Sequence, residues 1–226
     1  MGADALSWRA ASDERIGREA DGGTIVRLVP GLVHEARNPL NALAIHLEVL
    51  GDKLRDEATG LVPSHLARNL EAARAQLRRL DGLLRRFSDF AAGTCAPEEP
   101  AACLERARGL VEYQLRRAGV SATVDAAPST GVGLGPAACV LLVELLLLAT
   151  ERAAPSTTLA LRAAAAVDTI DVEVAGSGEE PGDAAGGALE RLASRTMDLG
   201  GTIAVEEGAQ WRIRLRLPAV ELESRV

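Results

Sequence analysis

The sequence predicts an α+β protein in which an N-terminal antiparallel helical hairpin, paired into a dimeric four-helix bundle, precedes a mixed sheet covered on one side by helices. Two patterns predict the hairpin, because apolar residues recur at helical steps of three and four over residues 28–54 and again over residues 66–87. Beyond residue 100, short segments alternate apolar with polar residues, which is typical of half-buried strands.

The order of these patterns divides the chain into domains. With 226 residues, 47% of them hydrophobic, the chain is long and apolar enough to bury a core. We assign residues 1–23 to a tail, 24–92 to the hairpin, 93–100 to a linker, 101–218 to the second domain and 219–226 to a second tail.

Composition argues against two classes of partner. The net charge of −7 disfavours nucleic acid, and no apolar run is long enough to span a bilayer. The first ten residues lack the apolar core of a signal peptide, so we expect a cytoplasmic protein. Cys95, Cys103 and Cys139 are scattered, odd in number and without metal-ligand spacing, so we interpret them as small core or surface residues in a reducing compartment.

The first helix is predicted to run from Thr24, an N-cap residue type, to about Arg55. His34 lies two residues from both Leu32 and Ala36, which turns it about 160° away from the apolar stripe, so the spacing predicts an exposed histidine. The stripe consists of Val29, Leu32, Ala36, Leu40, Leu43, Leu47, Leu50 and Leu54.

The second helix is predicted to begin near Ser64 and carries a coiled-coil seam over three heptads. One hairpin cannot bury both the stripe and the seam completely, so the pattern predicts a homodimer in which two hairpins form a four-helix bundle. The seam consists of Leu66, Leu70, Ala73, Leu77, Leu80, Leu84 and Phe87.

The second domain follows a linker rich in glycine and proline. The last predicted strand carries Arg212, Arg214 and Arg216 on one face, which we expect to be exposed to solvent. The order of the predicted helices and strands indicates a mixed sheet covered on one side by helices. The predicted elements are a helix at 101–118, a strand at 120–124, a buried helix at 136–153, strands around 159–163 and 170–174, a helix at 188–199 and a hairpin over 203–217.

The segment His34-Glu35-Ala36-Arg37-Asn38-Pro39-Leu40 resembles the H box of the bacterial sensor histidine kinases, and the resemblance extends with decay from about Thr24 to Pro218. It implies that His34 is the phosphoacceptor, that Glu35 assists as general base and that Asn38 positions water or phosphoryl oxygens. By the same resemblance, Arg37 and Asn41 are expected to contact a docked partner. Pro39 should bend the helix just below the site.

The second domain resembles the ATP-binding domain of the same kinases in degenerate form. The kinase N box expects two asparagines four residues apart, and the matching positions here are Glu144 and Leu148. After the strand that ends near Val174 no aspartate stands at the adenine-reading position, and only eight steps separate Gly178 from Gly186, too few for the kinase lid. We therefore expect this chain to bind no ATP and no other cofactor.

Three functions remain open at the level of the sequence. The first is a histidine phosphotransferase, which passes a phosphoryl group through His34 to or from the aspartate of a response-regulator receiver domain, with Mg²⁺ held by that receiver. The second is a divergent histidine kinase that phosphorylates His34 from ATP. The third is a non-catalytic dimeric adaptor for a receiver domain. His46 and His65 are assigned only structural roles, since neither has motif neighbours.

Overall fold

The computed structural model describes residues 21–56, 64–127, 129, 131–178 and 183–222, with side chains given from residue 23 and excluding 51–67 and 183–186. The described chain forms two compact units. One consists of Val29–Ser88, and the other combines the residues up to Leu28 with those from Asp89 onward. The first turns of the first helix thus pack with the second unit, although the sequence pattern assigns them to the hairpin.

The first unit contains most of helix α1 (Asp21–Asp56) and helix α2 (Ser64–Ala91). In both the stripe of α1 and the seam of α2, the structure covers some of the apolar residues and leaves the others exposed. On α2, Ala73 is buried and Leu80 and Phe87 are half-buried, whereas the alternate positions Leu70, Leu77 and Leu84 are exposed. On α1, the half-buried set is Leu32, Ala36, Leu43 and Leu50, and the exposed set is Val29, Leu40 and Leu47. Leu54 and Leu66 lie outside the described side chains.

The second unit contains a five-stranded sheet in the order β1-β3-β4-β6-β5. The pair β1–β3 is parallel and the other pairs are antiparallel, so the sheet is mixed as predicted. A separate antiparallel pair joins β2 to β7. The strands are β1 (Ser121–Ala126), β2 (Val132–Gly133), β3 (Thr158–Ala165), β4 (Thr169–Ser177), β5 (Thr202–Glu206), β6 (Gln210–Pro218) and β7 (Val220–Glu221).

Three helices cover one face of this sheet: α3 (Pro100–Ala118), α4 (Pro136–Arg152) and α5 (Asp183–Asp198). Every residue of α4 from Ala137 to Thr150 is buried except Glu144. Alternate residues of the central strands face these helices, as a period of two requires. The buried set is Leu159, Leu161, Ala163, Ile170, Val172, Val174, Trp211, Ile213, Leu215 and Leu217. The α+β fold class is confirmed.

Two boundaries differ from the sequence prediction. The chain after Pro218 was assigned to a tail, but Val220 and Glu221 form β7 and pair with β2. The pair was missed because a strand of two residues shows no periodicity. Gly133 is needed there, since a Cβ would come within 2.3 Å of the Glu98 carbonyl oxygen. Helix α5 begins at Asp183, five residues before the predicted start. Among the described residues, no helix is both long and apolar enough to cross a membrane.

Candidate functional site

His34 lies on α1 and its side chain is exposed, as the spacing from the apolar stripe predicts. Glu35, the next residue, is half-buried, and Asn38, one turn later, is exposed. Steps of four residues bring side chains to the same face of a helix, so His34 and Asn38 are neighbours on the surface of α1. The structure therefore brings an accessible imidazole and an accessible amide together. The catalytic roles of His34, Glu35 and Asn38 stay predictions.

The polar face around His34 continues along α1. Arg37 and Asn41 are both exposed, and they lie three and seven residues beyond His34, which keeps them on its side of the helix. Ile45 follows eleven residues beyond His34, about three turns along the same face. Its side chain is 60% exposed, so it adds apolar area to this face of the helix. We define Arg37, Asn41 and Ile45 as the docking strip, and contact of Arg37 and Asn41 with a partner stays a prediction.

Two prolines bracket this segment inside α1, at Pro30 and Pro39. Proline has no N–H, so the carbonyl oxygen of the residue four positions earlier loses its helical donor. For Pro39 that carbonyl belongs to Glu35, directly beside His34. The turn that carries His34 is therefore less constrained by backbone hydrogen bonds than an ordinary helical turn, and the bend expected at Pro39 stays a prediction.

A second polar cluster lies in the second unit, around Glu144 of α4. The Thr24 hydroxyl donates a hydrogen bond to Glu144 Oε1 over 2.8 Å, and Arg195 of α5 donates to the same oxygen. The Glu144 side chain is 17% exposed and Thr24 is 7% exposed, so solvent has little access to the pair. We call Thr24, Glu144 and Arg195 the Glu144 cluster.

Further contacts hold the same first turns of α1. Arg27 forms an ion pair with Glu151, at the end of α4, and Gln114 of α3 donates to the Arg27 carbonyl oxygen over 2.8 Å. Leu28 is only 2% exposed. Polar contacts thus join residues 24–27 to α3 and α4, and the next residue, Leu28, is buried.

Protein atoms pack closely around Gly176 and Gly178, at the end of strand β4. A Cβ at Gly176 would come within 2.7 Å of the Trp211 ring, and a Cβ at Gly178 within 2.0 Å of the Arg152 carbonyl oxygen. The Arg152 guanidinium itself lies over the Trp211 ring, 5.6 Å from its centroid, with a side chain that is 2% exposed. Close packing of the protein accounts for both glycines.

The outer face of the sheet carries the arginines of β6 among carboxylates. Arg214 donates to Glu173, and Arg216 donates to Asp171 through two nitrogens, which fits the predicted exposed face. Partial burial alone would raise the pKa of Glu173. The hydrogen bond from Arg214 and the charges of Arg212 and Arg162 outweigh that effect, so the pKa of Glu173 lies below its ordinary value.

The three cysteines meet in the core, although they are scattered in the sequence. Cys139 of α4 is hydrogen-bonded to Cys95 of the linker and to Cys103 of α3, and all three are buried. The hydrogen bond with Cys139, together with burial, raises the pKa of the Cys95 thiol. The hydrogen bond with Cys103, together with burial, raises that of Cys139. Buried protonated thiols are unreactive, so the cluster has a packing role.

Residues 25–94, which include His34 and both long helices, match the family model of the His Kinase A (phospho-acceptor) domain. The chain belongs to the two-component histidine kinase superfamily. One relative is the two-component sensor PprA of Pseudomonas aeruginosa, which is 30% identical over 155 residues. That alignment covers 67% of this chain but 16% of PprA, so the chain corresponds to only a small part of that two-component sensor.

Two solved structures also resemble the chain. Histidine kinase AdeS of Acinetobacter baumannii is 17% identical, with a TM-score of 0.44, over 82% of this chain and 97% of that one. A structure described as a bacterial phosphotransferase is 14% identical, with a TM-score of 0.46, over 85% of this chain and 95% of that one. Both TM-scores are below 0.5, too low to carry a functional comparison.

For a member of the histidine kinase superfamily, the surroundings of the N-box positions are unusual. Glu144 is bonded to Thr24 and Arg195, and Leu148 is 2% exposed within the core. Neither side chain can act as the neutral amide that the kinase pattern expects. Among the described residues, no group of three or more histidine, cysteine, aspartate or glutamate side chains is arranged to hold a metal ion.

Sequence reasoning missed the partners of Glu144. The sequence showed that a carboxylate replaces an asparagine, but Thr24 and Arg195 lie 120 and 51 residues away from it. One signal was available. Glu144 is the only charged residue between Pro136 and Thr150, and a carboxylate in so apolar a helix requires a buried partner.

Proposed function

We propose that this chain is a histidine phosphotransferase of a two-component phosphorelay, which carries a phosphoryl group on His34 to or from the aspartate of a receiver domain. One contrast supports the proposal. The H box displays an exposed His34 beside Asn38, whereas the N-box positions hold Glu144, bonded within the protein, and the buried Leu148. The chain has kept the acceptor and lost the side chains for ATP.

The transfer step needs little from this chain beyond position. A nitrogen of the neutral His34 imidazole attacks the phosphorus of the aspartyl phosphate, a P–N bond forms, and the bond to the aspartate oxygen breaks to release the carboxylate. Glu35 accepts a hydrogen bond from, or takes the proton of, the other ring nitrogen, and Asn38 orients a phosphoryl oxygen. A Mg²⁺ ion held by the receiver would offset the charge of the phosphoryl group. Alignment of the two reactants supplies most of the rate enhancement.

The partner would dock on the face of α1 that carries the docking strip. Arg37 offers a cation to the acidic pocket of a receiver, Asn41 offers an amide, and Ile45 is 60% exposed and offers apolar area. The strip continues directly from His34 along the helix, so a receiver bound there would present its aspartyl phosphate to the imidazole.

The self-association of the hairpin belongs to the same proposal. In α2 the exposed leucines Leu70, Leu77 and Leu84 recur every seven residues, and in α1 the exposed residues Val33, Leu40 and Leu47 do the same. Exposed apolar positions at a strict heptad spacing are the uncovered half of a coiled-coil core. A second copy of the hairpin, which carries the same positions, would cover them in a four-helix bundle.

The competing function is ATP-dependent phosphorylation of His34 by a divergent kinase. It is favoured by one observation, the 30% identity to a two-component sensor over 67% of this chain. It requires Mg-ATP to bind near Glu144 and Leu148, whose side chains supply no neutral amide.

The experiment that separates the two functions follows label onto His34. Purified protein is incubated either with Mg-[γ-³²P]ATP or with a ³²P-labelled phosphorylated receiver, and acid-labile, base-stable label on the protein is measured. We expect label from the receiver alone, loss of that label in His34→Ala, and normal labelling in the matched control His46→Ala. Label from ATP, or label from the receiver in His34→Ala, would contradict the proposal.

A further inference from the structure

The Glu144 cluster has more partners than neutralisation of a carboxylate requires. Glu144 is the only residue between Ala137 and Thr150 on α4 that is not buried, and its side chain is still only 17% exposed. Arg195 alone supplies the opposite charge that such a carboxylate needs. The additional hydrogen bond, from Thr24, comes from the helix that carries the phosphoacceptor.

We propose that Glu144 is a positioning residue for phosphotransfer, which acts through Thr24 to fix the start of the phosphoacceptor helix. The proposal rests on the proposed function and assigns the altered N-box position a role in it. The carboxylate, in place of a nucleotide ligand, anchors the helix that presents His34.

The anchor consists of two separate contacts between α1 and α4. Thr24 and Arg27 lie one turn apart on α1, and their partners Glu144 and Glu151 lie seven residues, or two turns, apart on α4. Two separated contacts restrain the direction of a helix, whereas one contact leaves it free to pivot. Leu28, which follows Arg27, is only 2% exposed and adds apolar burial, and Gln114 adds a hydrogen bond to the Arg27 carbonyl oxygen.

The helix needs such an anchor because of Pro30. Pro30 lies between the anchored residues and His34, and it leaves the Val26 carbonyl oxygen without its helical N–H donor. A helix bends most easily at such a point. Contacts that fix the turns before Pro30 leave this bend as the remaining source of movement between the anchor and His34, whereas without them the turns before Pro30 can move as well. Small misplacements of a reacting group lower transfer rates steeply.

The variants Glu144→Ala and Thr24→Val remove the Thr24–Glu144 contact from its two sides and leave the Arg27–Glu151 contact in place. Thr24→Ser keeps the hydroxyl and serves as the conservative rescue. The matched control is Asp171→Asn, which removes a carboxylate that is also paired with an arginine, but on the outer face of the sheet. Each protein is assayed as the full chain, with a phosphorylated receiver as the donor.

Two readouts are needed. Hydrogen exchange of the amides in residues 24–34 reports the anchor without any activity, and we expect it to accelerate by about tenfold in Thr24→Val and Glu144→Ala. Transfer at saturating receiver should slow by about tenfold in the same two variants, while the receiver concentration for half-maximal rate stays within about twofold. Thr24→Ser and Asp171→Asn should match the wild type in both readouts.

Each alternative outcome has a distinct meaning. Unchanged exchange in Thr24→Val and Glu144→Ala would overturn the anchor, and faster exchange with unchanged transfer would overturn the positioning role. Either leaves the phosphotransferase proposal standing, because the wild type transfers label. Failure of the wild type to accept label from any receiver would instead end the proposed function, and the positioning role with it.

Discussion

Single atoms decide how closely the second unit packs at its glycines. Gly178 lies against the Arg152 carbonyl oxygen, and a methyl group there would come within 2.0 Å of it. Gly109, in the exposed part of α3, has no atom within 4 Å of the corresponding position. The same substitution should therefore have opposite effects at the two sites.

We expect Gly178→Ala to lower the free energy of unfolding by about 2 kcal/mol or more, because the backbone must move to admit the methyl group. Gly109→Ala should raise the free energy of unfolding by about 0.5–1 kcal/mol, because alanine restricts the unfolded chain and favours the helix. Both values come from urea denaturation followed by circular dichroism. Equal changes in the free energy of unfolding for the two variants would show that the Arg152 carbonyl oxygen does not exclude a methyl group at residue 178.

The carboxylate of Glu173 makes stability depend on pH. The pKa of Glu173 is lower in the folded protein than in the unfolded chain. Its contribution to the free energy of unfolding is therefore fully present above the unfolded pKa of about 4.3 and is lost as the pH falls toward the folded pKa. The stability difference between wild type and Glu173→Gln should therefore shrink between pH 5 and pH 3. A difference that stays constant over that range, in denaturation curves at each pH, would contradict this assignment.

At the scale of elements, α4 and the hairpin helices differ in how completely the chain buries their apolar residues. Helix α4 is buried on nearly all sides, and it needs no second copy of the chain. Helix α2 buries Ala73 but leaves Leu77 half exposed, at 50%. The difference follows from composition. Helix α4 is apolar on nearly all sides, whereas α2 is amphipathic and has a single apolar stripe, part of which the chain itself leaves exposed.

We predict that Leu77→Gln weakens self-association of the chain. Loss of one leucine per subunit from the dimer interface lowers the free energy of dimerisation by about 1.5 kcal/mol for each copy. The dissociation constant should therefore rise by about a hundredfold. The control is Arg79→Gln, an exposed position on the same helix, which should leave association unchanged. Sedimentation velocity over a concentration series measures both. If Leu77→Gln associates like the wild type, the exposed heptad positions are not the interface.

At the scale of the whole molecule, the chain joins the helix that carries His34 to a domain in which Glu144 and Leu148 stand where the kinase pattern expects asparagines. His34 and Asn38 are exposed, while Glu144 is bonded to Thr24 and Leu148 is buried. This combination predicts how the protein responds to ATP.

We expect 1 mM Mg-ATP to leave the melting temperature unchanged within about 1 °C. A kinase-like dissociation constant of about 10 μM would stabilise the folded state by about 2.7 kcal/mol at that concentration, and the melting temperature would then rise by several degrees. Calorimetric melting with and without Mg-ATP makes the measurement, and Mg-ADP serves as a second ligand. A rise that saturates with ATP concentration would favour the divergent kinase.

The sequence predicted most elements because their periods are long enough to read. The stripe of α1, the seam of α2 and the apolar run of α4 each extend over at least three turns, and the alternation in β4 and β6 covers nine residues each. Strands β2 and β7, with two residues each, carry no period and were missed.

The sequence by itself determined the helical and strand segments, the exposure of His34 and the presence of Glu144 and Leu148 where the kinase pattern expects asparagines, since periodicity and residue identity are local properties. Tertiary structure decided which half of each seam the chain covers, that Thr24 and Arg195 meet at Glu144, and that Cys95, Cys103 and Cys139 form one cluster. Such contacts join residues far apart in the chain, and they depend on how the elements pack rather than on any local pattern.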